Sequence, residues 1–461
     1  MTTPTLVTDF PQPEPGQPRD YSFPTFGSYQ FSNGLRLVVA PVHKLPVVTV
    51  LAVIEAGAVS EPVNREGVAQ ITARALAEGR AGDDAMELAD RFELLGASFG
   101  ARADWEITVA SVTTTTGHLA DAVALFGEAL TAPSFPEREI ERLKAERLSD
   151  LLQRRMEPRG LADDMFVRAL YDAESRYARA DEGEAETVSA ITRDDVVAFW
   201  SERYRPGSVT VVVAGDVTAE DARRLVEAAL GSWQGEAPIP AQATDQPARL
   251  TRAVHLVHKP DAAQTEIRLG HVGLPRLHPD YFAVTVMNAL LGGLFNSRIN
   301  LNLREAHGYT YGAHSYFDWR RAAGPFLVST AVASDVTHLA AQEALKELTR
   351  FGDAPPEARE LALAVDYLDG VFPIRYESTS AIASAIAGMI SFGLPEDYYD
   401  SYRDNVRAVT PQAVQDAARR HLHPDRLQLL LVGNESEIRG PVEAMEFGPL
   451  FRYDDEGRRE E

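Results

Sequence analysis

The feature that most constrains this chain is that it contains itself twice. Residues 199–230 read FWSERYRPGSVTVVVAGDVTAEDARRLVEAAL, and residues 417–438 read AARRHLHPDRLQLLLVGNESEI. Each is a helix, a short Pro-containing turn, a buried apolar strand (Val209–Ala214, Leu427–Val432), then Gly and an acidic or amide residue. A second pair matches in the same order. LLGASFGARADWEITVASVTTTTGHLADAVALFGEAL and GYTYGAHSYFDWRRAAGPFLVSTAVASDVTHLAAQEAL each predict two strands and a helix opening near His118 or His338. A repeat this long is a duplicated domain, not a solenoid unit.

Each half opens on apolar strands, Leu35–Ala40 and Val47–Glu55 in the first, Val254–Lys259 and Glu266–His271 in the second. Helices are predicted over Val68–Glu78 and Asp84–Leu95, the latter with Leu88, Phe92 and Leu95 on one stripe. Gly79 and Gly96 stand where left-handed cap residues belong. Strands and helices mix without strict βαβ alternation, so each half is expected to be α+β with a mostly antiparallel sheet and helices packed on it. The Pro- and Gln-rich stretch GEAPIPAQATDQPARL, Gly235–Leu250, is read as the linker. It separates a first domain, 21–235, from a second, 251–461, with 236–250 between them. Residues 1–20, with five prolines, are expected to form a flexible arm, and the charged residues after Phe451 a solvated tail.

Composition narrows function by exclusion. The 68 acidic and 45 basic residues give a net charge of −23, against nucleic-acid binding. Absence of cysteine excludes disulfides, thiolate metal sites and a thiol nucleophile. The N-terminal sequence has no signal-peptide pattern and no stretch reads as a membrane span, so the expected location is cytoplasmic, or periplasmic if a leader has been removed.

The segment AVIEAGAVSEPVNREGVAQITARALAEG resembles the zinc-binding region of the pitrilysin/insulysin family, which includes the mitochondrial processing peptidases. Family peptidases carry H-x-x-E-H on a helix, two His converging on zinc and a Glu activating the bound water. Here those positions read Gln70-Ile71-Thr72-Ala73-Arg74. Gln is a poor zinc ligand, Ala73 is no base, and Arg74 places a fixed cation where the metal would sit. The family's distal Glu falls at or beside Asp150. The resemblance therefore implies no metal in this chain.

The second half keeps its signature. LLGGLFNSRINLNLREAHGYTYGAHSYFDW, residues 290–319, resembles the family's second-domain motif, and its matching Arg and Tyr are Arg304 and Tyr311. The resemblance assigns this pair to substrate binding and oxyanion stabilisation across a clam shell. Chemically a fixed guanidinium or phenol suits the charge that develops on a peptide carbonyl oxygen. Arg304 is expected near a helix end and Tyr311 on the next strand, sharing a face with Tyr309, Ala313 and Ser315.

The reading is a non-zinc subunit closing on a homologous zinc-bearing partner, with peptides as substrates. The rival reading is an inactive homodimeric peptide-binding or scaffold protein. Other groups take structural roles. His421 and His423 are read as turn residues, His255 and His258 as solvent or cap residues, and Gly292–Gly293 as a tight turn between helices. The charged run Glu137–Arg155 is read as a solvated face, and His307 and His314 flank the Arg–Tyr segment, where either could touch substrate.

Overall fold

The computed structural model describes Gly16 and residues 20–460; apart from Gly16 and Asp20, the arm expected over 1–20 lies outside the described residues. In chain order the strands are β1 (Gly27–Gln30), β2 (Arg36–Pro41), β3 (Val47–Ile54), β4 (Gly79–Arg80), β5 (Asp83–Asp84), β6 (Ser98–Ala103), β7 (Thr108–Thr115) and β8 (Val209–Gly215). The second half adds β9 (Ala253–His258), β10 (Thr265–Val272), β11 (Ala313–Phe317), β12 (Pro325–Val332), β13 (Gln428–Gly433) and β14 (Leu450–Tyr453). One sheet runs β1-β2-β8-β3-β7-β6 and the other β14-β9-β13-β10-β12-β11. These are one topology, mostly antiparallel, with the duplicated strands in the same places.

Only the edge strand beside β2 or β9 differs in origin. β1 precedes its repeat and pairs antiparallel with β2, whereas β14 follows its repeat and pairs parallel with β9. The tail expected to be solvated is therefore partly a strand. Beyond it, the Glu460 N–H returns to the Arg452 carbonyl at 2.9 Å.

The central strands are apolar at nearly every position because both faces are covered. Five helices of the first half are α1 (Val68–Ala75), α2 (Ala85–Leu94), α3 (Leu119–Thr131), α4 (Glu137–Met156) and α5 (Pro158–Leu170). Leu37, Val39, Val50, Val211 and Val213 pack with residues of α1 and α3 on one face of the first sheet. Its other face, Val38, Leu51, Val53 and Val212, is covered by Ile382, Ala383 and Ile386 of helix Thr379–Phe392, which belongs to the second half. Reciprocally, Leu161, Met165 and Phe166 of α5 cover Val257, Leu327, Leu430 and Val432 of the second sheet. Each half thus lends a helix to the other, a feature beyond the linker-joined pair that the sequence suggests.

Polar contacts reinforce the seam. Arg321 grips Glu55 with two bonds of 2.6 and 2.7 Å, and Arg268 meets Asp163 at 2.7 Å. The segment 235–250 is extended and held: Ala248 N–H donates to Leu170 O, and Asp245 accepts from Ala323 N–H, at 2.8 and 2.9 Å.

Some local expectations need correction. α1 ends at Ala75, before Glu78, and Gly79 (φ +133°) enters the β4–β5 hairpin where a helix cap was expected; Gly96 (φ +59°) is left-handed as expected. α2 opens on a reciprocal cap between Asp84 and Glu87. The run Tyr281–Ala306 is long and apolar enough to cross a membrane by composition alone, against the sequence reading, yet half of its apolar window is buried inside the protein.

His255 is not a solvent-facing residue. It is buried between the Tyr453 hydroxyl (3.0 Å) and Gln428 Oε1 (3.2 Å). His258 does cap, accepting the Glu435 N–H at 3.2 Å. A second buried ring, His271, donates from Nδ1 to Val272 O and accepts at Nε2 from His423 N–H, a pattern only the neutral ring satisfies. Burial pushes both His255 and His271 down to about 4. The unfolded rings titrate near pH 6.5, so between those values the unfolded chain binds more protons and stability falls as pH falls. Urea midpoints are expected to drop from pH 7 to pH 5, less steeply in His271→Gln. A midpoint flat across that range would contradict the assignment.

Candidate functional site

On α1, Gln70 and Arg74 lie one turn apart, as metal-binding histidines would. Both are already engaged. Gln70 Oε1 accepts the Ala103 N–H at the end of β6 (2.8 Å), and Arg74 binds Glu146 of α4 (2.7 Å). Ala73 is fully buried. Arg142 also bonds to Glu146, and reaches Glu78 at 2.5 Å and Glu139 at 2.6 Å. The Arg74 hydrogen bond above all holds the Glu146 carboxyl below its ordinary range. The carboxylate facing the degenerate motif is therefore Glu146; Asp150, the position expected from spacing, is exposed one turn further along.

These residues do not fit zinc. No imidazole is present, the amide oxygen is committed to the backbone, and the one carboxylate is neutralised by two guanidiniums. The purified chain is expected to retain no stoichiometric zinc after dialysis against a weak chelator. One tightly held zinc per chain, by elemental analysis, would contradict this.

α4 is also less solvated than its charge suggested. Lys144 and Arg147 are buried, Arg147 pairing with Glu182 at 2.7 Å.

In the second half, helix Tyr281–Asn288 continues as a wider π-helical turn, Ala289–Gly293. Gly292 is not a turn residue. A Cβ there would collide with Ser315 Oγ and lie 2.6 Å from Ser315 N, so glycine is what lets β11 lie against this helix. Asn288 ties the contact, donating to Ser315 O (3.0 Å) and accepting from Ser315 Oγ (2.7 Å). The chain then turns through Leu294–Ser297 and re-enters a helical stretch ending in the π turn Leu301–Ala306.

Arg304 sits in that last turn, its guanidinium 4.6 Å from the centre of the Phe295 ring and its Nε 3.4 Å from Glu305. Gly308 (φ +65°) then swings the chain out. Tyr311 lies in the irregular segment before β11, not on the strand, because Thr310 Oγ1 turns back onto Gly312 and Ala331. Tyr311 is 92% exposed, whereas Tyr309 is packed with its ring stacked on His307 at 4.9 Å. The strand face expected to join Tyr309 and Tyr311 is thus not formed.

Tyr311 and Phe295 line one open groove of about 520 Å³, with Arg159, Gln264, His314 and Thr330. Phe295, exposed and bridging Arg304 to the groove, was not singled out by sequence; its signal is a large aromatic directly after Gly292-Gly293-Leu294. His307 lies apart, 4.0 Å from Glu343.

Among the described residues one group has metal-like proximity, His278, Asp280 and His421, with ligand atoms within 4.8 Å. Its chemistry is that of an ion pair. Asp280 accepts from His421 (2.6 Å) and Arg420 (2.8 Å), and His278 Nδ1 already accepts the Asp280 N–H. His421 ends helix Pro411–His421, so it belongs to a helix end where a turn was expected.

Two like sheets, each roofed by the other's helix, with the motif position closed by an ion pair and an open groove lined by Tyr311 and Phe295, define a peptidase-type scaffold whose motif residues do not fit zinc. The chain belongs to the insulinase family, peptidase family M16. The insulinase (peptidase family M16) profile matches residues 37–176, and the peptidase M16 inactive domain profile matches residues 190–368, which include Arg304 and Tyr311. An uncharacterized zinc protease of Streptomyces coelicolor is 23% identical over 84% of this chain and 85% of its own length, and YmxG of Bacillus subtilis, also an uncharacterized zinc protease, 24% over 77% and 85%. Among solved structures, a peptidase M16 inactive domain from Pseudomonas fluorescens superposes with a TM-score of 0.83 at 27% identity, covering 89% of this chain and 98% of that one. The periplasmic protease PqqL of Escherichia coli shares the fold at a TM-score of 0.73 and 18% identity; 91% of this chain is covered, but only 50% of PqqL.

Proposed function

We propose that this chain is the non-metal-binding subunit of a two-subunit, insulinase-type endopeptidase. A homologous partner carrying H-x-x-E-H supplies the zinc site, and this chain presents Arg304 and Tyr311 to the bound peptide. The observation that carries the reading is the exposure of Tyr311. Its phenol makes no hydrogen bond among the described residues and packs in no core, so the fold gives it no structural task. Among the described residues Arg304 has only its chain neighbour Glu305 as an ion-pair partner.

As a peptide carbonyl carbon becomes tetrahedral, its oxygen gains negative charge, and a phenol hydroxyl aimed there stabilises that charge. A guanidinium beside it also holds the carbonyl before reaction.

The test is reconstitution. Each subunit alone, and then their mixture, is assayed on a quenched peptide library. Cleavage is expected only in the mixture, and to be lost with chelator. Chelator-sensitive cleavage by this chain alone would refute the reading, and an inert mixture would favour the homodimeric scaffold.

A further inference from the structure

The groove beside Tyr311 has a charge unlike the chain around it. The protein carries 68 acidic residues, yet none lines this groove. It does contain Arg159, exposed near the start of α5, whose guanidinium has neither an ion-pair partner nor a hydrogen-bond acceptor among the described residues. Three other arginines on and around this helix are matched: Arg154 with Asp164 at 3.0 Å, Arg168 with Glu184 at 2.6 Å, Arg268 with Asp163 at 2.7 Å. That last pair matters because Asp163, four residues from Arg159 on the same helix, is thereby held by a buried cation.

The same groove is lined by His314 on edge strand β11, a residue that keeps solvent access while part of its ring is covered. Burial of its ring, then the positive fields of Arg268 and Arg159, hold it below the usual imidazole range. A neutral imidazole and an unpaired guanidinium thus line the same groove, both able to donate to a carboxylate.

We infer that Arg159, with His314 beside it, is a specificity site for a carboxylate of the peptide, either an acidic side chain or the C-terminal carboxylate, in the groove shared with Tyr311. This rests on the proposed peptide-binding role and adds to it a substrate class. Bidentate pairing of guanidinium with carboxylate supplies direction as well as charge.

The test uses the full chain alone and direct binding, so it is independent of whether a mixture with a partner cleaves anything. Short rhodamine-labelled alanine peptides with amidated C-termini carry Glu, Gln or Lys at the centre; a fourth, all-alanine peptide has a free C-terminal carboxylate. Fluorescence anisotropy is expected to show the Glu peptide or the free-carboxylate peptide binding roughly fivefold tighter than the Gln peptide at low salt, the upper range for an exposed ion pair. Which of the two gains identifies the source of the carboxylate. Arg159→Gln should erase the preference and Arg159→Lys retain part of it, each with an unchanged circular dichroism melt. Equal binding of all four peptides, binding of none, or a preference that survives Arg159→Gln overturns the inference. A preference found where the mixed subunits stay inert would overturn only the proposed peptidase role.

Discussion

In the reconstituted enzyme, Tyr311→Phe is expected to lower kcat by roughly a hundred- to a thousandfold, the usual cost of one oxyanion donor, while KM changes little. The phenol ring stays, so groove shape is kept and only the donor is lost. An interaction made in the transition state alone lowers kcat and kcat/KM together. Arg304→Ala should alter both parameters, since a guanidinium also holds the ground-state carbonyl and its removal uncovers Phe295. Tyr309→Phe is the control and should be mild, because that ring is packed on His307. Neither Tyr311→Phe nor Arg304→Ala should change the melting temperature by more than about a degree or two, since neither side chain is buried. Full activity of Tyr311→Phe in the assembled enzyme would remove the oxyanion role.

The largest stability effect is expected at the borrowed helix. Phe166 is 1% exposed and packs on the second sheet, its Cζ lying where a side chain on Gly270 would need room. Phe166→Ala should cost about 3–5 kcal/mol, as truncations of buried aromatics do. Although the residue belongs to the first half, protease sensitivity should appear in the second, whose Leu430 and Val432 would lose their cover. Leu152→Ala, at a position 62% exposed, should stay within about 0.5 kcal/mol of the parent. A midpoint for Phe166→Ala no lower than that of the control would mean that α5 is not needed to cover the sheet.

Much of this architecture is legible in the sequence because its signals are local. Continuous apolar runs such as Val209–Ala214, each followed by Gly, mark strands buried on both faces, and their recurrence marks the duplication. The segment that carries the resemblance around Tyr311 contributes Phe295, Tyr311 and His314 to one groove, while Arg304 reaches it only through the Phe295 ring. What was not legible depends on what packs against what. An amphipathic pattern on α5 or on Thr379–Phe392 says that a face is buried, not which sheet buries it. Tyr311 looked like a strand residue because 309–315 alternates; the Gly308 turn and the Thr310 hydroxyl override that pattern. At the degenerate motif, spacing chose Asp150 and the fold chose Glu146, four residues earlier. Positions four apart share a helix face, so spacing found the face and missed the turn, and only the geometry shows Arg74 reaching back.

The helix exchange also bears on how the chain is made. A ribosome delivers the first sheet long before helix Thr379–Phe392 emerges, so the inner face of that sheet, Val38, Leu51, Val53 and Val212, has no native cover while the following ~160 residues are synthesised, several seconds or more at about 5–20 residues per second. α5 meanwhile waits for strands that do not yet exist. Neither half can be completed and set aside while the other is built, and a nascent chain stalled in the second half would display a sticky apolar sheet to its neighbours. Chaperone dependence during translation, and aggregation of truncated products, follow from the order in which the parts arrive.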